Sequence, residues 1–226
     1  MSGNRATRKT CPRRGRSAGW AAAVGAALLT AGLALHPAAA GAQPGAASRP
    51  ALAGPGPGSS NLIQSGDFSQ QGLAPVGATI GLAGAQALSA CSGEETMRVL
   101  TGASATAYAE VTWTFDTGGS LLTESLAGAP TGAAAASYGK RLNALVRDCR
   151  HEPAGHWYYG PGRTLTVPAG EATWYPAFGG DGTAAGGVAV LRSGERVGIV
   201  ELTGQPSDDP AYIAGLTAAA LARLAS

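Results

Sequence analysis

The most regular hydrophobic pattern in the chain runs from Gly132 to Cys149, GAAAASYGKRLNALVRDC. Tyr138, Leu142, Leu145, Val146 and Cys149 recur at helical spacing and share one face, while Lys140, Arg141, Asn143, Arg147 and Asp148 take the other, so the stretch predicts an amphipathic α-helix. Pro130-Thr131 marks its entry and Pro153 lies just past its exit. A different period governs Tyr108 to Phe115, YAEVTWTF. There Ala109, Val111, Trp113 and Phe115 alternate with Glu110, Thr112 and Thr114, the pattern of a half-buried strand. Asp116-Thr117-Gly118-Gly119 reads as a turn into a second strand, Ser120 to Leu126.

Beyond the helix, His156 to Tyr159, Thr164 to Val167 and Ala172 to Phe178 are short apolar or aromatic runs bounded by Gly or Pro, and each predicts a strand. Val188 to Leu191 and Val197 to Leu202 flank Arg192-Ser193-Gly194-Glu195 and predict a hairpin turning at Ser193-Gly194. Asp209 is placed to cap a last helix with Pro210 in its first position, and Ile213, Leu216, Ala220 and Leu224 form its apolar stripe. Before the first clear strand the pattern is weaker. Asn61 to Phe68 reads as a short helix closed by Gly66, Gly72 to Gly84 as irregular chain, and Glu94 to Leu100 as either helix or strand. The order β-β-α-β-β-β-β-β-α has many hairpin links and few crossovers. It predicts an α+β domain, an antiparallel sheet with the helices packed on one face.

Composition divides the chain into three. Arg5, Arg8, Lys9, Arg13, Arg14 and Arg16 precede an apolar run from Trp20 to Leu35, and Pro37 to Ala42 then offers small residues. That is the order of a secretory signal, expected over residues 1–42 and cleaved, with no membrane anchor left behind. Arg13-Arg14 leaves the export route, general or twin-arginine, open. Gln43 to Ser60 is Gly, Pro, Ala and Ser apart from Gln43, Arg49 and Leu52. Such a run buries too little apolar surface to offset its ordering entropy, so it reads as a disordered linker. Residues 61–226 are then the folded domain, long enough to bury roughly 70% of the unfolded surface around one core.

The leader also carries the apparent basicity. Of 16 Lys+Arg, six lie in it, and all 14 Asp+Glu follow it, which leaves 10 basic against 14 acidic residues and a formal charge of −4. That balance gives no electrostatic footprint for nucleic acid. Of three cysteines, Cys11 falls before the apolar run, and only Cys91 and Cys149 remain in the exported product. Two cysteines in an oxidising compartment favour a disulfide, which would constrain the unfolded chain by roughly 4 kcal/mol in the loop-entropy model. Free thiols or a metal site are the alternatives, and neither cysteine has a CxxC partner.

The pieces in sequence also resemble a known family, the PknH-like extracellular sensor domain, found on bacterial receptor Ser/Thr kinases and on free-standing secreted proteins and lipoproteins. The resemblance rests on Leu62-Ile63 with Gly66-Asp67-Phe68, on Cys91-Ser92-Gly93, and on the helix ending Val146-Arg147-Asp148-Cys149. It extends to the hairpin Leu191 to Val197 and the closing helix Ala219 to Leu224. It implies an α+β domain with a cleft, braced by disulfides, that binds an undefined extracellular ligand. This chain departs from it in carrying no kinase and in having cysteines for one disulfide only.

Candidate chemistry is sparse. Ser137-Tyr138-Gly139-Lys140 is an SxxK on a helix, the Ser–Lys spacing of penicillin-recognising enzymes, but Ser207-Asp208-Asp209 only approaches SDN and no KTG follows. His151 and His156, with Glu152 and Cys149 nearby, could hold zinc, but Pro153 and Gly155 break the spacing. No GxSxG, P-loop or dinucleotide fingerprint occurs. The densest feature is aromatic: Trp157, Tyr158, Tyr159, Trp174 and Tyr175 lie on two neighbouring predicted strands. Side chains with an apolar body and a polar tip suit a partly wet cleft, though they also suit an ordinary core. The sequence therefore predicts a secreted, non-catalytic binding domain of the cell envelope, with no cofactor and no metal, taking a small molecule or envelope fragment against those aromatics. An exported hydrolase using Ser137 and Lys140 or the histidines, and a ligand-free interaction protein, are the competing readings.

Overall fold

Eight antiparallel strands form one sheet with helical layers on both of its faces. The computed structural model describes residues 56–69, 72–88, 95–116, 119–148, 157–207 and 209–226, the side chains of 205–207 excepted, all within a compact unit spanning Pro50–Ser226. The signal segment, Cys91, Cys149, His151, Glu152 and His156 lie outside the described residues, and with them the expected disulfide and the zinc candidate.

A 3-10 turn at Ser59–Asn61 leads into α1, Ser65–Ser69, then β1, Pro75–Gly81, and α2, Met97–Leu100. The strands β2, Ala107–Phe115, and β3, Leu121–Gly128, precede the long helix α3, Gly132–Asp148. After it come β4, Tyr158–Tyr159, β5, Arg163–Val167, β6, Gly170–Phe178, β7, Ala184–Ser193, and β8, Arg196–Ser207, and α4, Tyr212–Ala225, follows them. The sheet order is β1-β2-β3-β8-β7-β6-β4, with β5 also paired to β6. The α+β class, the antiparallel sheet and the order of elements from β2 onward follow the hydrophobic pattern.

Three local readings are corrected. Gly72 to Gly84 is not irregular, since it contains β1. Gly66 lies inside α1 rather than closing a helix. The β7–β8 loop is Gly194-Glu195, one residue later than predicted, because Ser193 pairs with Arg196 and Gly194 (φ 56°) supplies the left-handed backbone that the first position of a tight hairpin turn needs. The fold also begins ahead of Asn61: Pro57 is buried, and Gly58 N–H donates to Asn61 Oδ1 at 2.9 Å.

The larger correction concerns the helices, which do not share one face. On β7, Val188 and Val190 pack with Tyr138, Leu142 and Val146 of α3, while the intervening Ala189 and Leu191 pack with Ile213, Leu216, Ala220, Leu221 and Leu224 of α4. Strand β8 alternates in the same way, Val197 and Ile199 toward α3, Val200 and Leu202 toward α4. Successive strand side chains point to opposite faces, so a strand apolar at every position needs cover on both. The central strands supply that run, and α3 and α4 supply the cover.

Candidate functional site

The pleat separates the five aromatics. Trp174 and Tyr175 are consecutive on β6 and so face opposite ways. Trp174 joins the α4 core with the Arg163 guanidinium 5.1 Å from its ring centre, while Tyr175 points to the α3 side and its hydroxyl donates to Asn143 Oδ1 at 3.0 Å. Tyr158 and Tyr159 divide likewise. Tyr158 is 41% exposed and stacks on Phe178, its partner across the strands, with centroids 5.3 Å apart. Tyr159 is buried on the α3 side, pairs with Ala177, and donates its hydroxyl to Glu201 Oε1 at 2.7 Å. Trp157, half-buried, meets Tyr159 edge to face at 5.1 Å.

Trp157 and Tyr159 therefore stay together, and they form one side of a cavity of about 390 Å³. Ala177 and Phe178 at the end of β6, Ala185 on β7, and Glu201, Thr203 and Gly204 on β8 complete most of its lining. Two irregularities in the sheet fall here. The β6–β7 register slips between Pro176 and Phe178, and the β7–β8 register slips between Ala184 and Gly186. Such bulges bend strands and interrupt pairing, which leaves room at this end of the sheet. Gly186 (φ 113°) and Gly204 (φ 70°) hold backbone that L side chains rarely adopt, and a Cβ on them would run into the carbonyls of Leu202 and Gly119.

Chemically the cavity is an apolar chamber with one carboxylate in its wall. Its volume falls in the range of small-molecule sites, about 300–1,000 Å³. Glu201 is only 7% exposed, and the Tyr159 hydroxyl fixes one of its oxygens. Of the five predicted aromatics the cavity takes two, and Tyr158, Trp174 and Tyr175 lie outside its lining. Sequence reading missed Glu201. Its signal was a lone acidic residue in the apolar run Val197 to Leu202, at a position sharing a face with Val197 and Ile199.

The same face carries a second polar group nearer the β1 edge. Gln86 N–H donates to Glu110 Oε2 at 3.0 Å, its Nε2 reaches Ser125 Oγ at 3.3 Å, and its Oε1 accepts from Thr112 at 3.1 Å. Ser137 and Lys140 are both exposed on α3. Among the described residues no group of three or more His, Cys, Asp or Glu is placed to hold a metal, and no helix is long and apolar enough to cross a membrane.

No family model matches the chain, and no curated protein matches it. Among solved structures, the crystal structure of the extracellular domain of PknH from Mycobacterium tuberculosis is similar at 12% identity, covering 73% of this chain and 92% of that one, with a TM-score of 0.47. Its name is that of the family the sequence resembles, but a likeness this loose shows no membership and carries no functional weight.

Proposed function

We propose that this chain is an exported, non-catalytic binding domain of the bacterial cell envelope, and that it takes a small molecule in the cavity between Trp157, Tyr159 and Glu201. One observation carries the reading: an apolar chamber of about 390 Å³ contains a single, oriented carboxylate. A site of this kind favours a ligand with an apolar body and one polar group directed at the Glu201 carboxylate. Export rests on the basic and apolar leader, residues 1–42.

Tryptophan fluorescence tests the proposal. Fractions of envelope extract are titrated into the exported product, and saturable quenching is expected. The quenching should disappear in Trp157→Phe and persist in Trp174→Phe, whose indole lies on the opposite face. Flat titrations across a broad set of fractions would sink it. Covalent retention of a fluorescent penicillin on Ser137 would replace it with the hydrolase reading.

A further inference from the structure

On the face away from the cavity, the segment from Gly58 to Ser69 lies across the sheet as a strap. Leu62, Ile63 and Phe68 are fully buried there, and Phe68 sits edge to face with Trp113 and Phe115, each 5.2 Å away. The middle of the strap is held through both backbone groups of one residue. Ile63 N–H donates to Glu124 Oε2 at 2.6 Å, and Ile63 C=O accepts from Trp113 Nε1 at 3.3 Å. Its ends are tied to α4: Asn61 Nδ2 reaches Arg223 O at 3.3 Å, and Arg223 grips Asp67 through Nε and Nη2, both at 3.0 Å.

Glu124 is an unusual residue to place at the centre of this arrangement. It is completely buried, its directly paired neighbours on β2 and β8 are Val111 and Val200, and its Oε1 has no hydrogen-bond partner among the described residues. The charged groups on the elements packed over it are Asp67 on α1 and Arg223 on α4, already paired with each other. On the neighbouring strands, Glu110 and Glu201 occupy positions of the opposite pleat. A carboxylate without a counter-charge or a full set of donors is poorly tolerated in such a site, whereas a neutral carboxylic acid fits.

We infer that Glu124 is a proton-operated latch: its neutral form is tolerated in hydrocarbon beneath the closed strap Gly58 to Ser69, and loss of its proton, which leaves a buried charge with Ile63 N–H as its single donor among the described residues, frees the strap from the β2–β3 face. Release uncovers an apolar surface around Val111, Phe115 and Leu122. Burial, with a smaller push from Asp67 and against the Ile63 hydrogen bond, raises the Glu124 pKa from 4.5 to about 8. The open form exposes the acid and returns it to its ordinary range. Opening is therefore coupled to proton release between those two values and becomes easier by about tenfold per pH unit there, levelling above the upper one.

Native-state hydrogen exchange on the full chain tests the latch. Protection of the Ile63 amide should fall about tenfold per pH unit from pH 5 to 8, flatten above, and lie below that of Ile199 in the sheet centre at every pH. Glu124→Gln should abolish the slope while keeping an acceptor for Ile63. If that variant fails to fold, Asp67→Asn serves instead: removing the like charge should move the flattening to lower pH. Protection independent of pH, protection equal to that of Ile199 throughout, or an unchanged slope in Glu124→Gln would each overturn the inference.

Discussion

The two faces of the sheet are built from the same strands, yet they do different work. The α4 face is dry: Leu62, Ile63, Phe68, Leu122, Leu126, Leu202 and the α4 stripe are all at most 1% exposed, and one acid, Glu124, is sealed among them. The α3 face mixes apolar contacts with hydroxyls, amides and carboxylates, among them the pairs Gln86–Glu110, Tyr159–Glu201 and Tyr175–Asn143, and it supplies most of the cavity beside Trp157, to which the α4 face adds Leu202. The contrast places two buried glutamates in opposite situations. Glu201 accepts a hydrogen bond from the Tyr159 hydroxyl at the wall of a chamber, while Glu124 accepts one from the Ile63 N–H and is otherwise set among hydrocarbon. The first face is the more completely apolar of the two, and the second carries the cavity proposed to take a ligand.

Breaking the dry face should have the largest effect. Phe68→Ala removes the ring that Trp113 and Phe115 enclose and should cost about 3–5 kcal/mol in urea or thermal unfolding, the usual range for an aromatic lost from a core. Next in size is the pH dependence of global stability. Glu124 has a folded pKa of about 8 against 4.5, so its neutral form is the stabilising one. Its contribution is whole below 4.5 and is lost as pH rises toward 8, a decline on the order of several kcal/mol that denaturation at stepped pH should show and Glu124→Gln should flatten.

The wet face should yield less. Tyr159→Phe keeps the packing against Trp157 but deprives Glu201 of a donor, and about 0.5–1.5 kcal/mol is expected from chemical denaturation, together with weaker quenching by any ligand fraction. Tyr158→Ala should change least. Its ring is exposed and stacked only on Phe178, so a loss of about 0.5–1 kcal/mol and unaltered ligand quenching would sharpen the division between the faces.

Much of the architecture was legible because burial was periodic. The α3 face at Tyr138, Leu142 and Val146, the apolar residues Ala109, Val111 and Phe115 of β2, and the stripe Ile213, Leu216, Ala220 and Leu224 are buried as their spacing predicted, whereas Leu145 and Trp113 are half-buried and Glu110, expected on the polar side of β2, is buried too. Strand β1 was not legible, and the reason is physical: from Pro75 to Gly81 no side chain is fully buried, so small residues at an exposed edge left no alternation to detect. The two-sided cover of the sheet was legible in principle, since Val188 to Leu191 is an unbroken apolar run. The hairpin links drew attention instead to a sheet with one solvated face. The same pleat divides the five aromatics between the faces, because Trp174 beside Tyr175, and Tyr158 beside Tyr159, cannot line one wall of a strand.

Local order along this chain followed from spacing alone, since periods of two and of 3.6 residues are properties of neighbouring side chains and need no knowledge of distant ones. Which glutamate is given a tyrosine hydroxyl and which a single backbone N–H amid hydrocarbon depend on segments more than forty residues apart being brought together. Tyr159 and Glu201 become partners only when β4 docks on β6 and bulges open the ends of β6, β7 and β8, and Ile63 finds Glu124 only when the strap is pinned beneath α4. Contacts of that range are set by packing, and no window of residues contains them.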